Sequence, residues 1–311
     1  MPPSAFTADV PTALRLASDP RLLRTLDRLR FAGLQSVSLR PGSTPLARAA
    51  QASGLELTAH RPYTPGDDLR HVDWNVLARL DERLVKTFRA EREAPLHLLV
   101  DASASMGAPL ADGKLAFAAA LAASCAYVAL RHGSPVRASV LSSGDDGSRL
   151  SPLLRHVQRL PELHAFLTPL APRGPTRLAE GIDAYLRSTR LPGLAIVLSD
   201  FLIEPRHAEH ALDQLRGRGH DVVAIRVIGA QERSADALPR RVRLRDAETG
   251  LERDVELSAA HRQSYREAVD AHLAHLRTWC ASRGIAFAAV DPGAGLADCL
   301  LQALPRAGVL Q

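Results

Sequence analysis

The spacing of hydrophobic residues changes along the chain, and from Pro95 onward short apolar runs alternate with longer stretches of helical period. The short runs have the length of buried β-strands, and the longer stretches are typical of helices. We predict strands at residues 96–101, 136–142, 194–199, 221–227 and 285–290. We predict helices at residues 113–132, 151–167, 177–190, 206–218, 259–283 and 295–304. This alternation indicates an α/β fold, a doubly wound and mostly parallel sheet with helices on both faces.

One segment interrupts the alternation of strands and helices. Residues 241–246 and 254–257 alternate polar and apolar side chains, and Glu248-Thr249-Gly250 lies between them. Period-two patterns around a glycine-containing turn indicate a β-hairpin. We therefore expect an inserted hairpin at about residues 238–258.

The chain before the alternation predicts a smaller unit. Residues 55–60 and 84–89 have the composition and period of strands. We assign residues 21–92 to a small β-containing N-terminal module and residues 93–304 to the main domain. Residues 1–20 contain several prolines and no sustained period, so we expect a flexible tail there.

The charge of the chain does not favour nucleic acid as a partner. The formal net charge is +5, from 39 basic and 34 acidic side chains, and only 4% of the residues are aromatic. Arginines and acids are interleaved rather than segregated, whereas nucleic-acid binding calls for a clustered basic face with stacking aromatics. We therefore expect no nucleic-acid partner.

Cysteines and apolar segments bear on location. Cys125, Cys280 and Cys299 stand alone without C-x-x-C spacing, and the N-terminus lacks the layout of a secretion signal. The longest apolar run, residues 115–130, is short for a bilayer and includes a serine. These features predict a cytoplasmic location and no membrane span.

Candidate chemistry lies where two predicted strands end. Asp101 follows a buried run and is followed by Ser103 and Ser105, and Asp200 ends a second run. Thr176 precedes a predicted helix in the loop between them. The carboxyl ends of strands are where open α/β sheets bind ligands, and Mg²⁺ prefers oxygen donors. Two carboxylates and three hydroxyls therefore predict a site for Mg²⁺ or Mn²⁺.

These residues resemble the metal-ion-dependent adhesion site (MIDAS) of von Willebrand factor type A domains. The resembling positions are Asp101, Ser103, Ser105, Thr176 and Asp200. A stretch upstream, RPYTPGDDLRHVDW at residues 61–74, closely resembles the signature of a bacterial family of unknown function, DUF58. The resemblance covers about residues 40–304. It implies a von Willebrand factor type A-like (Rossmann-like) domain preceded by the signature module.

The resemblance also implies a function. Type A domains bind protein ligands through the metal, which takes an acidic side chain from the partner. Members of the resembled family commonly occur beside MoxR-type AAA+ ATPases. The chain is therefore expected to be a non-enzymatic, metal-dependent adaptor that captures an Asp or Glu of a partner, with such an ATPase as a candidate in protein assembly or maturation.

Other interpretations of the same residues remain open. One is a Mg²⁺-dependent phosphoester hydrolase, although haloacid-dehalogenase-like enzymes need a second Asp where this chain has Ser103. Another is a structural type A domain without bound metal, because Asp and Ser often occur in polar turns after strands. Residues 107–114 resemble a phosphate-binding loop, but five residues separate the glycines and Leu115 follows Lys114, so we expect no nucleotide there.

Overall fold

The computed structural model describes residues 9–32, 34, 56–64, 72–89, 94–141 and 149–311. The strands are β1 (Glu56–Pro62), β2 (Leu84–Arg89), β3 (Leu96–Asp101), β4 (Val136–Leu141), β5 (Arg149–Leu150), β6 (Leu194–Ser199), β7 (Asp221–Val227), β8 (Arg241–Arg245), β9 (Glu252–Glu256) and β10 (Ala286–Val290). The helices are α1 (Val10–Ala17), α2 (Pro20–Leu26), α3 (Trp74–Leu80), α4 (Lys114–Arg131), α5 (Leu160–Leu167), α6 (Leu178–Ser188), α7 (Pro205–Gly217), α8 (Ala230–Arg233), α9 (Ala259–Ser282), α10 (Leu296–Asp298) and α11 (Leu304–Arg306).

Six strands form the central sheet, in the order β10-β7-β6-β3-β4-β5. All neighbours are parallel except β4 and the short edge strand β5. The chain adds β4 on one side of β3 and then returns to add β6 on the other side. The order therefore reverses between β3 and β6, which confirms the predicted doubly wound, mostly parallel α/β sheet.

Two apolar layers cover the sheet. On one face β3 packs against α4, whose side chains are buried almost throughout because alanines let neighbouring elements approach closely. On the other face α6, α7 and α9 pack against the same strands. Because helices cover both faces, β3 and β6 are buried along their whole length.

The prediction of a flexible tail at residues 1–20 is wrong where helix α1 lies. Asp9 caps this helix by accepting the backbone N–H of Thr12. Its buried side chains recur at helical spacing and join the core around α4: Val10, Ala13, Leu14 and Ala17. Two of the prolines that suggested a loose segment, Pro11 and Pro20, stand in first turns, where the missing N–H is not needed.

The boundary of the N-terminal module also differs from the prediction. The chain divides into one unit of residues 1–34 with 94–311 and a second unit of residues 35–93. Helices α1 and α2 belong to the first unit, so the module does not begin at residue 21. Backbone hydrogen bonds join Arg30 and Gln311 in both directions, so the segment after α2 pairs with the last residue of the sequence.

The second unit contains the predicted strands and short helix. Strands β1 and β2 pair antiparallel, and α3 lies between them in the sequence. Within the signature of residues 61–74, residues 65–71 lie outside the described residues. Trp74, the last residue of that signature, is 59% exposed and so is not a buried anchor of this unit.

The inserted hairpin is confirmed, as β8 and β9. The predicted helix at residues 151–167 begins only at Leu160. Before it, Ser151 accepts the backbone N–H of Ala138, and Leu154 bridges Val136. Pairing with the edge of the sheet therefore overrides the local helical spacing of this segment.

Candidate functional site

Asp101 and Asp200 lie at the carboxyl ends of neighbouring strands. Asp101 is the last residue of β3, and Asp200 follows β6 directly. The order of the sheet reverses between these strands, and open α/β sheets bind ligands at such a point. Both side chains are buried. The structure therefore brings together the two acids that the sequence placed at equivalent strand ends.

The carboxylate of Asp101 is held by two hydrogen bonds. Its Oδ1 accepts the backbone N–H of Ser103 at 2.9 Å, and its Oδ2 accepts the hydroxyl of Ser199 at 2.6 Å. Burial, followed by the negative charge of Asp200, raises the pKa of Asp101 to about 6. These two causes outweigh the hydrogen bonds, which lower the pKa. A cation beside this carboxylate would favour its charged form.

Three hydroxyls form a row next to Asp101. The Oγ atoms of Ser103 and Ser105 are 3.0 Å apart, and Ser105 Oγ lies 3.4 Å from Thr176 Oγ1. Ser103 and Ser105 lie at the start of a 3₁₀ turn, Ala104–Gly107. This turn aims both hydroxyls to the same side, toward a threonine that is 71 residues away in the sequence.

Backbone hydrogen bonds fix the loop that carries Thr176. Ala104 donates its N–H to the carbonyl of Gly174 at 2.8 Å, and Arg173 donates to the carbonyl of Ala102 at 2.9 Å. Because these bonds join the two loops, the position of the Thr176 hydroxyl follows that of the turn after β3. The five predicted site residues therefore converge at one end of the sheet.

The donors fit a small, hard cation. In an octahedral Mg²⁺ shell, with metal–oxygen distances of about 2.1 Å, adjacent oxygens are about 3 Å apart. The spacings of 3.0 Å and 3.4 Å in the hydroxyl row are close to that value. Among the described residues, no three His, Cys, Asp or Glu side chains form a metal cluster, so such a site would depend on hydroxyls. The metal and its ligands remain a prediction.

A buried ion network lies behind the site, and no pattern in the sequence indicates it. Lys114, the first residue of α4, places its Nζ 2.8 Å from Asp200 Oδ2 and 2.5 Å from Glu232 Oε1. The other oxygen of Asp200 accepts the backbone N–H of Leu202. Arg226 donates to the backbone carbonyl of Asp200. Asp200 is therefore already paired with a cation, whereas Asp101 is not.

The carboxylate of Asp112 holds Glu232 in place. It accepts the backbone N–H groups of Gln231 and Glu232, at 3.2 Å and 3.1 Å. Burial raises the pKa of Glu232 to about 7, although Lys114 favours the charged form. Lys114 stood out in the sequence only as part of an incomplete phosphate-binding motif. Its partners could not be found there because they lie 86 and 118 residues further along the chain.

The sequence also does not indicate that the carboxylate of Glu248, at the tip of the β8–β9 hairpin, reaches the candidate site. Its Oε1 accepts the backbone N–H of Thr176 at 3.1 Å and the hydroxyl of Thr176 at 2.5 Å. The contact spans 72 residues, and the alternation of the hairpin predicts no contact for its tip.

The fold and the convergent oxygen donors define a von Willebrand factor type A-like protein. The chain belongs to the DUF58 family, described as proteins of unknown function, whose model matches residues 59–275. An uncharacterized protein of Mycobacterium tuberculosis is 31% identical over 287 residues, which are 88% of this chain and 83% of that protein. The family and the fold predicted from the sequence are thus confirmed.

Two solved structures are similar to this one. An aerotolerance-related membrane protein of Bacteroides fragilis is 16% identical, with a TM-score of 0.39, over 68% of this chain and 99% of that chain. A von Willebrand factor type A protein of Catenulispora acidiphila is 14% identical, with a TM-score of 0.37, over 69% and 42% of the two chains. At these identities and TM-scores the likeness supports no argument about function.

The predicted cytoplasmic location is contradicted by this comparison. The Bacteroides fragilis neighbour is named as a membrane protein, so a cytoplasmic location is not assigned to this chain. Within the described residues, the segment Leu110–Arg131 is long and apolar enough to cross a membrane. In this fold 94% of the apolar 18-residue stretch within that segment is buried inside the protein, as the central helix of a packed core would be.

Proposed function

We propose that this protein is a non-enzymatic adaptor that binds a partner protein through a divalent cation. The cation, Mg²⁺ or Mn²⁺, would be held by Asp101 and by the hydroxyls of Ser103, Ser105 and Thr176. Asp200 would bind it directly or through water. When bound, the cation would supply a Lewis-acidic position for a carboxylate of the partner.

The single observation that carries this proposal is the row of hydroxyls beside the buried carboxylate of Asp101. Among the described residues, this carboxylate accepts hydrogen bonds but has no basic partner. Ser103 and Ser105 are 3.0 Å apart and adjoin Asp101, whose pKa is raised. Lys114 neutralises Asp200. Asp101 is then the one predicted ligand whose charge is not paired with a described basic side chain, so a divalent cation would favour a further carboxylate from outside these five residues.

The chemistry of the site defines what a partner protein must offer. A protein that offers an exposed Asp or Glu satisfies the charge requirement. Because the family resemblance implies neighbouring MoxR-type AAA+ ATPases, we propose such an ATPase as the candidate, in assembly or maturation of other proteins.

Thermal unfolding in Mg²⁺ and in EDTA tests the cation site, with wild type compared to Asp101→Asn. The amide keeps the size of the side chain and removes its charge. Mg²⁺ at a hundredfold excess over its dissociation constant should stabilise wild type by about 2.7 kcal/mol. The variant should show little Mg²⁺ effect. Equal stabilisation of both proteins would contradict the assignment of Asp101.

A second pair of variants separates the hydroxyl row from hydroxyls in general. Ser105→Ala removes one proposed donor, whereas Ser188→Ala removes a hydroxyl that bonds only its own helix. Only the first should weaken Mg²⁺ binding. Mg²⁺-dependent turnover of a generic phosphoester that is lost in Asp101→Asn would instead establish the hydrolase. Indifference of all variants to Mg²⁺ would favour a structural domain without metal.

A further inference from the structure

Several charged side chains of the β8–β9 hairpin pair with one another, and the hairpin has little contact with the core. Its side chains are largely exposed. Across its strands, Arg243 pairs with Asp254 and Arg240 pairs with Glu256. A two-stranded hairpin without a hydrophobic face is marginally stable alone. A contact at its tip therefore has a large influence on where the hairpin lies.

The turn at the tip is built to present Glu248. Asp246 Oδ1 accepts the backbone N–H groups of Glu248 at 2.9 Å and of Thr249 at 2.7 Å. Gly250 adopts a φ of +72°, which a residue with a side chain would adopt only with strain. These features fix the backbone of Glu248, so its side chain projects from an ordered turn.

The Glu248 carboxylate reaches the hydroxyl row of the candidate cation site. One of its oxygens accepts both the N–H and the hydroxyl of Thr176, and that hydroxyl is 3.4 Å from Ser105 Oγ. When Thr176 donates its hydrogen to Glu248, the lone pairs of its oxygen stay available to a cation. The carboxylate thus lies directly beside the hydroxyl row.

Glu248 differs from the acids of strand β9 in its charge balance. Glu252, Asp254 and Glu256 each lie within 4.0 Å of an arginine. Glu248 is half-buried, and the described part of the chain gives it hydrogen bonds but no basic partner. A divalent cation on the hydroxyl row would supply the missing positive charge.

We propose that Glu248 is the chain's own acidic ligand for the cation, so that the hairpin covers the site until an acidic partner replaces it. This inference rests on the proposed function, because it needs the cation. It adds a residue that the five-residue motif does not contain. It also makes the hairpin a gate whose closed position the cation would strengthen.

The test compares wild type, Glu248→Gln and Glu252→Gln in the full chain. Glutamine at position 248 keeps an oxygen that can accept from Thr176 but loses the charge. Glu252→Gln makes the same change in the same hairpin, away from the tip. Mg²⁺ affinity is measured by titration calorimetry, and hydrogen exchange is followed in the turn of residues 246–251, with Mg²⁺ and with EDTA.

We expect Glu248→Gln to weaken Mg²⁺ binding by about tenfold or more, and Glu252→Gln to leave it unchanged. Mg²⁺ should slow exchange in the turn of wild type and of Glu252→Gln, but not of Glu248→Gln. In EDTA all three should exchange alike, because the hydrogen bonds to Thr176 persist.

Two results would overturn the inference, and they can be told apart. Equal Mg²⁺ affinity and equal protection of the turn in wild type and Glu248→Gln would reject Glu248 as a ligand and leave the cation site standing. Absence of Mg²⁺ binding to wild type would reject the cation site and Glu248 together.

Discussion

The Nζ atom of Lys114 lies 2.8 Å from Oδ2 of Asp200, and both side chains are fully buried. The ammonium also contacts Glu232, so one cation serves two carboxylates behind the candidate site. The two predicted metal-binding acids are therefore electrostatically unequal. Asp200 has a cation in the protein itself, and Asp101 carries the charge that an external cation would neutralise.

Lys114→Met should destabilise the fold by about 3–5 kcal/mol at pH 8, because it leaves two carboxylates buried without their cation. Urea unfolding would measure the loss. The loss should be smaller at pH 6, where a proton can neutralise Glu232. As a control, Arg187→Met breaks an exposed pair with Asp183 and should cost at most about 0.5 kcal/mol. Similar losses in both variants would argue against the buried network.

Gly229→Ala should destabilise the protein by about 1–3 kcal/mol, because a Cβ there would stand 2.1 Å from the Asp112 carboxylate carbon. Displacing that carboxylate also loosens the turn that carries Glu232. The matched change Gly217→Ala, at the end of α7, meets nothing within 4 Å and should be neutral or slightly stabilising. Thermal unfolding of the two variants would check this contrast.

His97 should make the protein less stable in acid. Burial lowers its pKa to about 3, and the hydroxyl of Tyr185 contacts its Nδ1. As pH falls from about 6.5 toward 3, the unfolded chain binds a proton that the native state does not. The free energy of unfolding then falls, by at most about 1.4 kcal/mol per pH unit for this group.

His97→Gln should reduce that pH slope, measured by urea unfolding between pH 7 and pH 4. The same substitution at exposed His207 should leave the slope as in wild type. Other buried groups titrate in this range, so the difference between the two variants is the informative quantity. Identical slopes would show that His97 does not contribute.

Leu14→Ala should destabilise the main unit by about 2 kcal/mol or more, because Leu14 is buried in the core around α4. Leu16, in the same helix, is 39% exposed, and Leu16→Ala should have a much smaller effect. The comparison, by thermal unfolding, asks whether α1 belongs to the folded unit. Equal and negligible effects would restore the flexible tail.

The sequence by itself determined the five parallel strands of the sheet and the acids at the ends of β3 and β6. Strands buried on both faces are continuous apolar runs, so β3 and β6 could be placed to the residue. Acids at the ends of such runs must meet at one edge when the strands are parallel. This is why Asp101 and Asp200 could be paired from sequence.

Only the tertiary structure decided which polar side chains meet across long stretches of sequence. Lys114 with Asp200, and Glu248 with Thr176, are contacts across 86 and 72 residues. Periodicity reports which face of an element is buried, but not which residue of another element meets it. For the same reason the helical structure of α1 was not predicted. Its apolar stripe is short, and the helix is stabilised because that stripe packs against α4.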